Sequence, residues 1–150
     1  MSKVTTVYNA LQALIEANLT SYSKIPNPYV VDDNVALLLT KGYGIGYGAG
    51  ENTERQVGCF LSINRLFTVV LVNQVTVTEN NLTGISSLEK ALMEDAVTLL
   101  DALEQDADLQ GNSIKAVYRS DSGIGFIDSE LGKYLLLEIE VGIEYLENLT

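Results

Sequence analysis

The groups best able to do chemistry in this chain are carboxylates, and the residue that most often makes other groups reactive is absent. The 150 residues hold 20 Asp and Glu, 9 Lys and Arg, one Cys, no Trp and no His. Without His there is no Ser-His-Asp or Cys-His nucleophile and no imidazole metal ligand. The lone thiol, Cys59, closes no internal disulfide and completes no zinc site. It lies in the most apolar stretch and reads as an inert core residue of a reduced compartment.

Glu138, Glu140 and Glu144 are the first candidates for a metal site or a carboxylate dyad. On a strand, residues two apart share a face, so Glu138 and Glu140 become near neighbours that repel unless something lies between them. A solvated sheet face explains them equally. Asp106, Asp108 and Glu104 resemble half a calcium loop. Counting from Asp106, the sixth position is Gly111 but the twelfth is Val117, where a bidentate Glu is needed. Asp128 and Glu130 beside Ser129 have no base or oxyanion donor. Asn18, Asn81 and Asn148 each open an Asn-Leu-Thr sequon, but no secretory leader precedes them, and they read as chance.

The glycine-rich stretch after Lys41, GYGIGYGAG, invites a phosphate-loop reading and fails its spacing. A dinucleotide fingerprint needs Gly at its first, third and sixth positions. Starting at Gly44 the sixth is Ala49, at Gly42 it is Tyr47, and at Gly46 it is Glu51. No Lys-Ser/Thr pair follows. Tyr43, Ile45 and Tyr47 instead alternate with Gly44, Gly46 and Gly48, a strand with one bulky and one bare face. Residues 49–54 then read as a loop. No catalytic, cofactor or metal residue is assigned.

The elements that must position these groups follow from apolar periodicity. Val4, Val7, Tyr8, Leu11, Leu14, Ile15 and Leu19 predict a helix, capped by Ser2 or Thr5 and ending near 21–24 ahead of Pro26 and Pro28. Residues 25–31 read as extended coil, and Asp32, Asp33 and Asn34 as caps for a short turn over 35–39, which a strand fits equally. Residues 57–77 are the strongest strand signal, with a bend or bulge at 62–64. Ser86-Ser87-Leu88-Glu89 has the form of a capping box. From it Leu88, Leu92, Ala96, Leu99 and Leu103 predict a second helix stopping near Gly111. Residues 113–120 form a strand, 121–125 a turn, and 134–146 a strand with Leu135, Leu137, Ile139, Val141, Ile143 and Tyr145 on one face. The fold class is therefore α+β. It is one domain of order α-β-β-α-β-β, a two-layer sandwich with a mixed or antiparallel sheet of about four strands and two helices on one face.

Charge divides the chain. Residues 1–75 carry five basic and five acidic groups; residues 76–150 carry four and fifteen, so the whole net charge of −11 sits in the second half. Tight binding to a phosphate backbone needs clustered cations, which argues against a nucleic-acid ligand. The longest uncharged run, 66–78, is too short to cross a membrane as a helix.

The order of motifs carries more than any one of them. The first helix is followed by Ile25-Pro26-Asn27-Pro28-Tyr29, Lys41-Gly42-Tyr43-Gly44 and Gly50-Glu51-Asn52-Thr53. Then come Phe67-Thr68-Val69 in the long strand, Glu89-Lys90-Ala91-Leu92 in the acidic helix, and Asp121-Ser122-Gly123-Ile124 before the last strand. This run, covering nearly the whole chain, resembles the bacteriophage tail terminator, or tail-completion, family. The resemblance implies a small α+β subunit without catalytic residues or cofactor that closes into a homo-oligomeric ring, usually a hexamer. The ring would cap the tail tube protein, end tail elongation and present a surface to the head-tail connector or neck protein. It would sit at the head-proximal end of the virion tail after assembly in the host cytoplasm. The absence of His and Trp touches nothing the family needs.

On that reading, DNA passes through the lumen unbound, and Glu138, Glu140 and Glu144 are the candidate lumen-facing acids. Gly48, Gly50, Glu51, Asn52, Thr53 and Glu54 form a candidate docking loop. The long strand over 57–77, outreaching its partners, would project a hairpin arm. Two alternatives remain open: a sheath-terminating or neck protein of a contractile tail that also meets sheath protein, and a small-molecule-binding α+β domain with its site at the glycine-rich strand 42–50. A soluble adaptor binding one partner through its acidic half is a third class.

Overall fold

The first helix, α1, spans Lys3–Asn18. The Ser2 hydroxyl accepts from the Thr5 N–H, and Val7, Leu11 and Ile15 form its buried stripe. The Glu147 carboxylate accepts from the Lys3 and Val4 N–H groups at 3.0 and 3.2 Å. An anion thus sits where the helix leaves its first donors unpaired and its dipole is positive. In this computed structural model the described residues are 2–25, 41–58, 60–129 and 132–148, with side chains apart from those at 54–57, 77 and 129. The expected turn over 35–39, Pro26, Pro28 and Cys59 lie outside them.

The sheet has six strands: β1 (Ser23–Lys24), β2 (Lys41–Val57), β3 (Phe60–Val75), β4 (Lys115–Asp121), β5 (Gly125–Ser129) and β6 (Gly132–Asn148). Their order is β1-β2-β3-β6-β4, with β5 also paired to β6. The β1–β2 pair is parallel and the rest are antiparallel, so the sheet is mixed. The expected count of about four strands is therefore too low, for two reasons. β1 is two residues held by register to Gly42 and Tyr43, too short for any periodic signal. β4 and β5 run along the same side of β6, broken where the Ser122 N–H and hydroxyl bond the Glu138 backbone instead of extending the ladder.

β3 is one strand of 16 residues, paired with β6 from Phe60↔Asn148 to Val75↔Lys133. It does not outreach its partners, which removes the expected projecting arm. The expected bend at 62–64 is instead an irregularity of β2, whose register against β3 shifts between Tyr47 and Gly50 and again between Asn52 and Gln56.

The second helix, α2, spans Leu82–Gln105. It follows a single 3-10 turn over Val77–Glu79. Its cap is Asn81, whose side-chain oxygen accepts from the Gly84 N–H at 2.8 Å, so Ser86–Glu89 lies inside the helix rather than at its start. It ends at Gln105, before the expected Gly111, where Asp106 leaves the helical region (φ −128°, ψ 51°), and the left-handed φ of Leu109, Gln110 and Gly111 (49°, 59° and 80°) then turns the chain away. Burial of Leu109 to 1% exposure holds that turn in place.

Both helices pack on one face of the sheet. Val7, Leu11 and Ile15 of α1 and Leu92, Ala96, Leu99 and Leu103 of α2 share a core with Tyr43, Ile45, Phe67, Val69, Leu71 and the odd-numbered residues of β6 from Leu135 to Tyr145. A second, smaller cluster of Ile25, Val70, Val72 and Tyr134 lies on the opposite face. Polar pins tie the layers. The Tyr22 hydroxyl donates to Asp95 at 2.6 Å and accepts from buried Asn73 at 3.0 Å, while Lys41 lies 3.6 Å from Asp95. The Tyr43 hydroxyl donates to Glu16 at 2.6 Å.

Candidate functional site

Alternation along β6 sends Ile139, Val141 and Ile143 into the core and Glu138, Glu140 and Glu144 to the face away from the helices. The structure brings the three acids onto one face, as the spacing requires. It does not make that face purely acidic. Glu144 stands across from Lys115 in the β4 register and accepts from the buried Ser62 hydroxyl at 3.1 Å. Arg119, the residue displaced by the β4 irregularity, lies over Gly142, where a Cβ would come within 2.6 Å of its Nε. A cation therefore crosses the strand between Glu140 and Glu144. Of the three, Glu138 alone is exposed; Glu140 and Glu144 are half-buried. Among the described residues there is no group of three or more His, Cys, Asp or Glu side chains able to hold a metal ion.

Gly48, Gly50, Glu51, Asn52, Thr53 and Glu54 are not a loop but part of β2. The sequence misleads here because glycines and polar residues that normally mark a loop are serving a bulged strand. Each of two glycines has a steric reason. A Cβ at Gly48 would fall 2.6 Å from the Leu66 carbonyl oxygen, and one at Gly50 would fall 2.7 Å from the Arg65 guanidinium carbon. Arg65 is what fills that space. Its guanidinium stacks 4.1 Å from the Tyr47 ring centroid, donates to the Gly48 carbonyl at 2.9 Å and to the Tyr145 hydroxyl at 3.0 Å. Glu51 and Asn52 remain exposed, and the Thr53 hydroxyl donates to the Ser62 carbonyl. Arg65 is the single charged residue in the apolar run 57–77. Its signal, visible in hindsight, is a lone cation in an apolar run opposite a Gly-Ala-Gly sequence.

The rest of the glycine-rich stretch is also strand. Gly42, Gly44 and Gly46 are buried on the face opposite the helices, opposite Val72, Val70 and Thr68. They open no helix and form no phosphate cradle. Asp106 accepts from the Gln110 N–H and side-chain amide, and these bonds hold its carboxyl below the usual carboxylate range. Its oxygens thus close the turn after α2 rather than face a calcium ion.

Large apolar side chains also stand exposed on the surface. They include Tyr47, Phe60, Leu82, Met93, Val97, Ile114, Tyr118 and Phe126. A groove of about 510 Å³ runs between the end of α2 and β4, lined by Leu100, Leu103, Ala107, Ala116, Val117 and Tyr118 among others. No described helix is long and apolar enough to cross a membrane. Neither a protein-family model nor a curated protein matches the chain.

Proposed function

We propose that this chain is a structural subunit of a bacteriophage tail, a tail terminator. Copies of it close into a ring that caps the tail tube, ends elongation and offers a surface to the head connector. The observation that carries the reading is the ordered run of motifs from the first helix to Asp121-Ser122-Gly123-Ile124. Two features support it. The fold is a mixed sheet with two helices on one face, compatible with what the resemblance implies. The exposed apolar side chains away from α2 and β4, Tyr47 of β2, Phe60 of β3 and Phe126 of β5, are the kind of surface that ring closure buries. Glu138, exposed on the face away from the helices, is the first candidate among the acids to line the lumen, where like charge would keep DNA from sticking.

Electron microscopy of the protein mixed with polymerised tail tubes tests the reading. Rings seated at tube ends, with elongation stopped, are the expected result. Bare ends and unchanged elongation at saturating protein overturn it. A monomer in free solution is compatible with it, because ring closure on the tube is sufficient for capping.

A further inference from the structure

The exposed face of α2 and the groove beside it form one continuous surface. Met93, Val97 and Leu100 follow at i, i+4 and i+7, and Leu82 lies on the same stripe three turns earlier. Met93 is 54% and Val97 60% exposed, a long way from the near-zero exposure of Leu92 and Leu99 on the core side. Leu100 carries the stripe into the groove, where Ala107, Val117 and Tyr118 continue it. The helix has met its need for a core through Leu92, Ala96, Leu99 and Leu103, with Leu100 packed at the core's edge, so Leu82, Met93 and Val97 have no apolar partner within the described fold.

The helix side of this surface is mostly acidic, while Lys115 of β4 lines the far side of the groove. Glu89 and Glu104 lie on the stripe itself, Glu94 and Asp101 run along its side, and Lys90 is the one opposing charge on the exposed helix. That charge selects the occupant. A second copy packing α2 on α2 would bring two such flanks together, each with the exposed acids Glu89, Glu94, Asp101 and Glu104 against a single Lys90. The chain's other half carries no net charge, and several of its cations are engaged, Lys41 with Asp95 and Arg65 with Tyr47 and Tyr145.

We propose that this surface docks an amphipathic helix of a different protein, with apolar residues at helical spacing and Lys or Arg along their flanks. The apolar side chains fill the stripe and groove, and the flanking cations meet the acidic helix side. The inference does not depend on the tail-terminator reading, since it concerns a peptide-sized partner and can be measured without tail tubes.

The probe is a synthetic helical peptide with leucines at i, i+4 and i+7 and lysines beside them, titrated into the full chain by calorimetry. Two companion peptides carry Glu for the lysines, or Ser for the leucines. The expected result is saturable binding of the first peptide alone. Its affinity should fall about tenfold in the Met93→Ser/Val97→Ser variant, whose changes are on exposed positions. An Asp101→Lys/Glu104→Lys variant should reverse the preference toward the Glu-flanked peptide. Absence of binding, equal binding by the Ser-substituted peptide, or unchanged affinity in Met93→Ser/Val97→Ser overturns the proposal. So does sedimentation showing a wild-type oligomer that the same double variant dissociates, since the occupant is then a second copy.

Discussion

At the scale of single residues, the buried hydroxyls do more to fix this fold than any ion pair. Tyr22 stands between a helix and the sheet: Asp95 of α2 accepts its proton and Asn73 of β3 donates to its oxygen. Tyr22→Phe keeps the ring and strands the buried Asn73 amide. It should cost about 1–3 kcal/mol, read as a lower urea midpoint with an unchanged slope. The same hydroxyls set an alkaline limit. Burial, reinforced by Asp95, pushes the Tyr22 phenol well above its ordinary value, and burial with Glu16 does the same to Tyr43. A phenol whose folded pKa is raised contributes its full stability below its unfolded pKa and loses it as pH climbs toward the folded one. Stability should therefore fall above about pH 10. Tyrosinate absorbance should rise in two stages, the second coinciding with loss of helical circular dichroism. If all eight tyrosines ionise in one smooth step with the helices intact, these two phenols are not held as described.

At the scale of elements, glycine positions distinguish backbone need from packing need. Gly123 has φ +70° and open space around the position of a Cβ, so Gly123→Ala should cost only the left-handed strain, about 1–2 kcal/mol. Gly84 lies in the first turn of α2, where Ala is normally favoured by about 1 kcal/mol. Here a Cβ would come 2.4 Å from the Glu79 carbonyl oxygen, which belongs to backbone and cannot swing away. Gly84→Ala should therefore destabilise, by about 1–3 kcal/mol, and thermal unfolding of the two variants checks both signs. The elements themselves were legible wherever one residue's face decided its fate. The stripes of α1 and α2 and the clean alternation of β6 placed Val7, Leu92 and Ile139 correctly, because burial and period report the same thing. The failures are local-chemistry cases. Ser86–Glu89 has the form of a cap, yet Asn81 begins the helix one turn earlier. Gly48–Glu54 has loop composition, yet Arg65 holds it as a bulged strand. β1 and β5 were missed because their pairing is settled by distant partners, and the Arg119 crossing over Gly142 because a strand irregularity shifts it there. The candidate acids were placed on the right face, but nothing in their spacing signalled the neighbouring cations.

At the scale of the whole molecule, the net charge of −11 makes ionic strength a discriminating variable. Like charges across the second half repel within the compact state and more strongly between two copies approaching each other. Raising salt shortens the screening length from about 30 Å at 0.01 M to about 10 Å at 0.1 M, which covers most separations within this domain. Relief of about 1 kcal/mol would raise the melting temperature by about 2–4 °C in a chain of this length, and scanning calorimetry across that salt range should show the rise. Association should respond in opposite directions according to the partner. On the proposed reading, ring closure by identical acidic subunits would gain from screening, so assembly should strengthen with salt. Docking of a basic helix on the Met93–Val97 stripe uses the same charges as attraction and should weaken over the same range. A paired light-scattering and peptide titration series therefore separates the two modes of assembly without any mutation. Parallel salt dependence of both would mean that the acidic face does not distinguish self from partner, and that apolar burial alone governs what this protein binds.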